Sequence, residues 1–140
     1  MIVVDTNVAS ELMRLSPAQA IQDWVRSQDA RQLCTTAITV AEIGYGIERL
    51  PDGRRKETLR AAAAEIFETF AEQVLPFDTA AAEQYGLVVS QRDRLGLPID
   101  GFDAQIAAIC RARGAALATR NVADFDKTGV ELISPWHPGN

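Results

Sequence analysis

Four acidic side chains, far apart along the chain, could together carry out metal chemistry. They are Asp5, Glu42, Asp103 and Asp124. Carboxylate oxygens are the ligands that hard cations such as Mg²⁺ or Mn²⁺ prefer, and such ions can hold a phosphodiester, activate water and stabilise the leaving oxygen. This chemistry needs no histidine, and the only histidine, His137, lies in the terminal segment. The residue types therefore favour metal-assisted phosphodiester hydrolysis, provided that the fold brings the four acids together.

The elements that must position these acids alternate between strands and helices. Apolar and β-branched runs predict five strands, at residues 2–4, 33–37, 74–77, 116–119 and 130–133. Helical spacing of apolar residues predicts helices at 8–14, 17–28, 39–50, 52–73, 79–95 and 102–113. Strands joined through helices imply crossover connections and a sheet covered on both faces. The pattern predicts an α/β fold, a three-layer α/β/α sandwich with a central, mostly parallel five-stranded sheet.

In such a fold the working site lies outside the carboxyl ends of the strands. Asp5 directly follows the first predicted strand, where it could ligate a cation or cap the next helix. Glu42 lies on the first turn of a predicted helix, where Thr39 and Glu42 also form a capping-box pattern. Both acids therefore have a structural interpretation beside the catalytic one.

The other two acids follow later elements. Asp103 heads an apolar helical stripe, which is an unusual place for a charge, whereas Asp100 is well placed as an ordinary N-cap. Asp124 comes soon after the fourth predicted strand, and Asp126 could take its place. We expect Phe125 to turn inward and to leave Asp126 pointing outward.

Composition fits one domain over residues 1–140. Apolar residues make up 47% and charged residues 24%, as in ordinary folded proteins. No apolar run is long enough to span a bilayer, and the first residues lack the form of a signal peptide. Cys34 and Cys110 have no metal-ligand spacing. We therefore expect a cytoplasmic protein with both cysteines in its core.

The charge balance does not decide the partner. A net charge of −5 argues against a polyanion, but setting aside four metal-binding carboxylates leaves −5 + 4 = −1. Basic residues cluster locally, at 54–56 with Arg60 and at Arg111, Arg113 and Arg120. Such clusters are more often solvated helix faces than binding sites.

Segments across nearly the whole chain match known motifs in the same order. They are IVVDTNV at 2–8, ITVAEIGYG at 38–46, DAQIAA at 103–108 and LATRNVADF at 117–125, followed by Gly129, Val130, Pro135 and Trp136. With these motifs the chain resembles the PIN-domain ribonucleases, and more narrowly the VapC and FitB-like toxins of type II toxin–antitoxin pairs. Each motif alone is weak, whereas their common order is highly specific.

The resemblance implies a metal-binding catalytic cluster of Asp5, Glu42, Asp103 and Asp124, with Asp5 and Asp103 as the most direct Mg²⁺ ligands. It implies supporting roles for the polar residues Thr6, Asn7, Thr119 and Asn121. The expected reaction is cleavage of RNA by metal-activated water, which leaves 3′-hydroxyl and 5′-phosphate ends. The expected partners are a second copy of the chain and an antitoxin that blocks the site, with no membrane association.

Three rival interpretations remain. A phosphatase of the haloacid dehalogenase type needs a second acid where Asn7 stands, and a receiver domain needs an acidic pair and a later lysine that the motifs do not offer. A PIN-like module that binds RNA or a protein without cutting is the third, because a fold does not determine a function.

Overall fold

The computed structural model describes residues 1–137, and its centre is a parallel sheet. The strands are β1 (Ile2–Val4), β2 (Leu33–Thr36), β3 (Val74–Leu75), β4 (Ala116–Ala118) and β5 (Leu132–Ile133). Their order across the sheet is β3-β2-β1-β4-β5, and each pair of neighbours is parallel. The predicted five-stranded sheet is confirmed, and it is parallel throughout rather than mostly parallel.

Pairs of helices connect the first four strands. They are α1 (Thr6–Leu12), α2 (Gln19–Ser27), α3 (Ala37–Glu48), α4 (Arg54–Thr69), α5 (Thr79–Arg94) and α6 (Gly101–Arg113). A short 3-10 turn, Val122–Phe125, follows β4. Within residues 1–137 no helix is both long and apolar enough to cross a membrane.

The core lies on both faces of the sheet because successive strand residues point to opposite sides. Val3 packs with Cys34 and Leu117 in a cluster that includes residues of α5 and α6. Val4 packs with Ala118 in a second cluster that includes residues of α1, α2 and α4. These two layers of helices confirm the predicted α/β/α arrangement, and both cysteines are buried free thiols as expected.

Helix ends determine where the acids point. Thr36, rather than Thr39, caps α3, because its hydroxyl oxygen accepts a hydrogen bond from the Thr39 amide at 3.1 Å. The helix therefore begins three residues before a Thr39 cap would place it, and the predicted Thr39–Glu42 capping box does not form. Asp100 caps α6 as predicted, accepting hydrogen bonds from the amides of Phe102 and Asp103.

Candidate active site

The site lies where the strand order reverses. β2 pairs with one edge of β1, and β4 pairs with the other edge of β1. Asp5 directly follows β1 and Thr119 directly follows β4, so both residues lie at the carboxyl ends of these neighbouring strands. Ligand sites in open parallel sheets lie at such reversal points because the crossover helices diverge there and leave a crevice.

All four predicted acids line one small cleft at this edge. Its volume is about 100 Å³, and its lining consists of Asp5, Thr6, Asn7, Glu42, Asp103, Ile106, Asn121, Asp124 and Phe125. Thr119 is fully buried and does not line the cleft, but its hydroxyl accepts a hydrogen bond at 3.1 Å from the amide of Asn121, which does. The tertiary structure thus brings seven of the eight candidate residues to one cleft and places Thr119 next to them.

Asp5 is the most enclosed of the four acids, with only 3% of its surface exposed. Its Oδ1 accepts a hydrogen bond from the Val8 amide at 2.9 Å, so Asp5 does cap α1. Burial raises the pKa of this carboxyl, although hydrogen bonds from Thr119, Val8 and Asn7 oppose the rise. The capping bond orients the carboxylate without neutralising it, and capping and ligation are therefore compatible.

Glu42 is oriented by a chain of threonine hydroxyls. Thr6 Oγ1 donates to Glu42 Oε1 at 2.8 Å and lies 3.2 Å from Thr39 Oγ1. Since the Thr6 hydroxyl has one proton, it accepts from Thr39, which in turn lies within 3.4 Å of the Thr36 hydroxyl. The sequence predicted a capping role for Thr39 and did not reveal its place in this chain of hydroxyls. The adjacent threonines at 35–36 are the sequence signal for polar residues at this strand end.

Among the four acids, Asp103 is the one whose ionised form is most destabilised by its surroundings. Burial, followed by the neighbouring charges of Asp100, Glu42, Asp124 and Asp5, raises the pKa of the Asp103 carboxyl from 3.8 to about 7. The destabilisation arises because α6 places this acid at the head of an apolar stripe that packs into the core. A cation in the cleft would relieve the repulsion.

The 3-10 turn selects Asp124 over Asp126 as the fourth member of the cleft. Phe125, between them, is 2% exposed and packs into the core, as predicted. Both acids are exposed, but Asp124 lines the cleft, whereas Asp126 lies outside its lining.

Most of the predicted basic clusters are occupied elsewhere. Lys56 is buried and donates to the Glu48 carbonyl and to Asp52. Arg60 forms ion pairs with Glu48 of α3 and with Glu57 of α4. Arg111 donates a hydrogen bond to the Thr128 carbonyl, and Arg113 forms an ion pair with Asp78. These side chains tie elements together rather than forming one basic face.

Other arginines border the cleft. Arg14, Arg49 and Arg55 line a cavity of about 340 Å³ that shares Thr6 and Glu42 with it.

A second cavity, of about 370 Å³, shares Asn7 and Asn121 with the cleft and shares Ser10 and Arg14 with the first cavity. There the Arg120 guanidinium lies 4.9 Å from the centre of the Trp136 ring, within the range of a cation–π contact. Positive charge therefore lines two connected cavities next to the acidic centre.

The donor set suits a hard divalent cation, although the side chains do not yet converge on one point. Among residues 1–137, no three acidic, histidine or cysteine side chains are close enough to hold an ion in their present positions. Carboxylates without a counter-charge repel each other, and none of the four forms an ion pair with a basic side chain of the described range. The set is oxygen-only and anionic, as Mg²⁺ or Mn²⁺ requires.

Comparison with known proteins agrees with this fold. The PIN domain profile matches residues 2–131. The chain is 37% identical to VapC ribonuclease Y4jK of Sinorhizobium fredii, over 99% of both chains. It is 34% identical to toxin FitB of Neisseria gonorrhoeae, over 98% of this chain and 99% of that one. The solved structure of FitAB bound to an IR36 DNA fragment superposes with a TM-score of 0.92 at 33% identity, covering 100% of this chain and 99% of that chain.

An all-parallel α/β nuclease-like fold with an acidic cleft at its reversal point defines the class. The chain belongs to the PIN-domain family, and its relatives place it among the VapC- and FitB-like members.

Proposed function

We propose that this protein is a divalent-metal-dependent ribonuclease that acts in the cytoplasm as the toxin of a toxin–antitoxin pair. One observation carries the proposal: four carboxylates, none of them paired with a basic residue within 1–137, line a single cleft. The relatives named VapC ribonuclease and toxin FitB support the reaction and the biological role.

The cation would be held by Asp5 and Asp103, with Glu42 and Asp124 as further ligands. When bound, Mg²⁺ or Mn²⁺ would polarise the phosphodiester and activate the attacking water. Asp5 needs little rearrangement for this task, because its capping bond and its burial already restrict its rotamer. Thr6 engages only Oε1 of Glu42, which leaves Oε2 available to the cleft.

The arginines of the two cavities would hold the RNA strand next to the cleft. Guanidinium groups bind phosphates through paired hydrogen bonds, and Arg14, Arg49 and Arg55 line the first cavity. In the second cavity Arg120 and Trp136 offer a charge and an aromatic face, a combination suited to a phosphate and an unstacked base. Asn7 and Asn121 line both the cleft and this second cavity.

A nuclease assay with defined RNAs tests the reaction. We expect cleavage with Mg²⁺ and none with EDTA, and an Asp5→Asn variant should lose at least about 100-fold in rate, since a metal site supplies several kcal/mol. Asp126→Asn is the matched control and should cleave like the wild type. If the folded wild type binds RNA but leaves several RNA classes uncut with either metal, the protein is a non-cleaving module instead.

The proposed partners are an antitoxin and a second copy of the chain. The FitAB complex, whose structure superposes closely, is the basis for the antitoxin. An adjoining reading frame whose product co-purifies with this chain and suppresses RNA cleavage would support the pairing. Light scattering on the purified protein tests the homodimer, and a monomer at micromolar concentration would contradict it.

A further inference from the structure

Arg92 is a buried charge for which the mechanism above has no role. It lies near the end of α5, and only 5% of its surface is exposed. Buried arginines are usually paired with carboxylates, because desolvating an unpaired charge is costly. Within residues 1–137 Arg92 has no acidic partner, and its hydrogen bonds all go to backbone carbonyls.

The first carbonyls belong to the segment between α5 and α6. Arg92 Nε donates to the Leu97 carbonyl at 2.7 Å, and Nη2 lies 3.5 Å from the Pro98 carbonyl. In the opposite direction, the Leu97 amide donates to the Arg92 carbonyl at 2.9 Å. This segment leads to Asp100, whose side chain caps α6 at the amide of Asp103. Arg92 therefore holds the chain just before one acid of the cleft.

The second set of carbonyls flanks the fourth acid. Arg92 Nη1 donates to the Asp126 carbonyl at 2.6 Å and to the Ala123 carbonyl at 3.4 Å. These two residues bracket Asp124 in the 3-10 turn. One planar guanidinium thus joins the two segments that present Asp103 and Asp124, although the two acids lie on separate elements of the chain.

We propose that Arg92 is a positioning residue that sets the separation of Asp103 and Asp124 and thereby the cation affinity of the cleft. The proposal rests on the proposed function for its effect on metal and catalysis. Arginine suits this task because its donors diverge in a fixed plane and can bind several carbonyls at once, whereas lysine has a single ammonium centre.

Hydrogen–deuterium exchange of metal-free protein provides the first test. In Arg92→Gln and Arg92→Lys, the amides of residues 97, 99–103 and 122–126 should exchange faster than in the wild type, while those of β1 and α3 stay unchanged. Arg94→Gln is the matched control, because Arg94 is exposed two residues further along and, within residues 1–137, its side chain bonds only Ser90 of its own helix. Unchanged exchange in both segments of both Arg92 variants would overturn the proposal, whatever their activity.

Mn²⁺ binding and kinetics provide the second test. Changes in residues that orient metal ligands typically cost 10–100-fold in metal affinity, so we expect Arg92→Lys to bind Mn²⁺ at least about 10-fold more weakly. Its kcat should recover at high Mn²⁺, and its KM for RNA should change little, because Arg92 does not reach the surface. Variants that exchange faster but bind Mn²⁺ and cleave like the wild type would show a purely structural role and would also overturn the proposal. A wild type that neither binds Mn²⁺ nor cleaves would instead contradict the proposed function, and the exchange measurement would still decide whether Arg92 holds the two segments.

Discussion

Replacing Asp103 with asparagine should stabilise the metal-free protein at alkaline pH. The Asp103 carboxyl has its pKa raised from 3.8 to about 7 by burial and by neighbouring carboxylates. Ionisation of Asp103 therefore destabilises the folded state relative to the unfolded chain. Asparagine occupies nearly the same volume and carries no charge, so the variant removes this cost.

The size and the pH window of the effect follow from the two pKa values. A rise of about three pH units corresponds to about 4 kcal/mol at 1.4 kcal/mol per unit. Because Asp103 is only half-buried, solvent screens part of this energy, and about 1–2 kcal/mol is the realistic expectation. The cost is complete above pH 7, shrinks as the folded-state carboxyl is protonated, and vanishes only well below pH 4, where the carboxyl is protonated in both states.

Urea unfolding in EDTA, followed by circular dichroism, measures the difference. At pH 8 Asp103→Asn should be more stable than the wild type, and the gap should narrow by pH 5. Saturating Mg²⁺ should reverse the order, since a ligand at 100 times its Kd stabilises the wild type by about 2.7 kcal/mol. Asp126→Asn, an exposed acid outside the cleft, should change nothing. Equal stabilities at pH 8, or a gap that does not depend on pH, would refute the electrostatic reasoning.

Three further predictions concern separate parts of the molecule. Thr6→Val removes the hydroxyl that donates to Glu42, so kcat/KM should fall about 10-fold, which is the contribution of a hydrogen bond to a charged group. Thr6→Ser keeps the hydroxyl and should retain most of the activity, and equal rates for the two variants would contradict the orienting role. Arg120→Gln and Trp136→Ala should raise KM for RNA with little effect on kcat, and Arg120→Gln should also weaken the salt dependence of binding. An unchanged KM in both variants would show that the cavity lined by Arg120 and Trp136 does not bind the substrate. Gly114 ends α6 in the left-handed conformation, with φ 63°, which alanine adopts only at a cost. Gly114→Ala should therefore lower the free energy of unfolding by about 1 kcal/mol without altering kcat. A variant with wild-type stability in urea would contradict this account.

Local patterns were enough to predict the architecture. Apolar and β-branched runs and helical spacing, together with an N-cap at Asp100, predicted the alternation of strands and helices that the structure confirms. The rule that sites lie outside the carboxyl ends of parallel strands and the ordered motifs then selected the four acids that the structure brings to one cleft. These inferences succeed because strand and helix patterns depend on neighbouring residues, and because parallel strands must end at a common edge.

Only the tertiary structure decided how the acids are held. A cap at Thr36 rather than Thr39 depends on where β2 stops, and that point is set by pairing with β1 and β3. The hydroxyl chain to Glu42 joins residues more than thirty positions apart. Arg92 meets the Ala123 and Asp126 carbonyls at a similar separation along the chain. Contacts of this kind leave no periodic trace in the sequence, because they depend on how packed helices place distant groups. The four acids and the supporting residue Thr6 could therefore be named from the sequence, whereas the roles of Thr36, Thr39 and Arg92 could not.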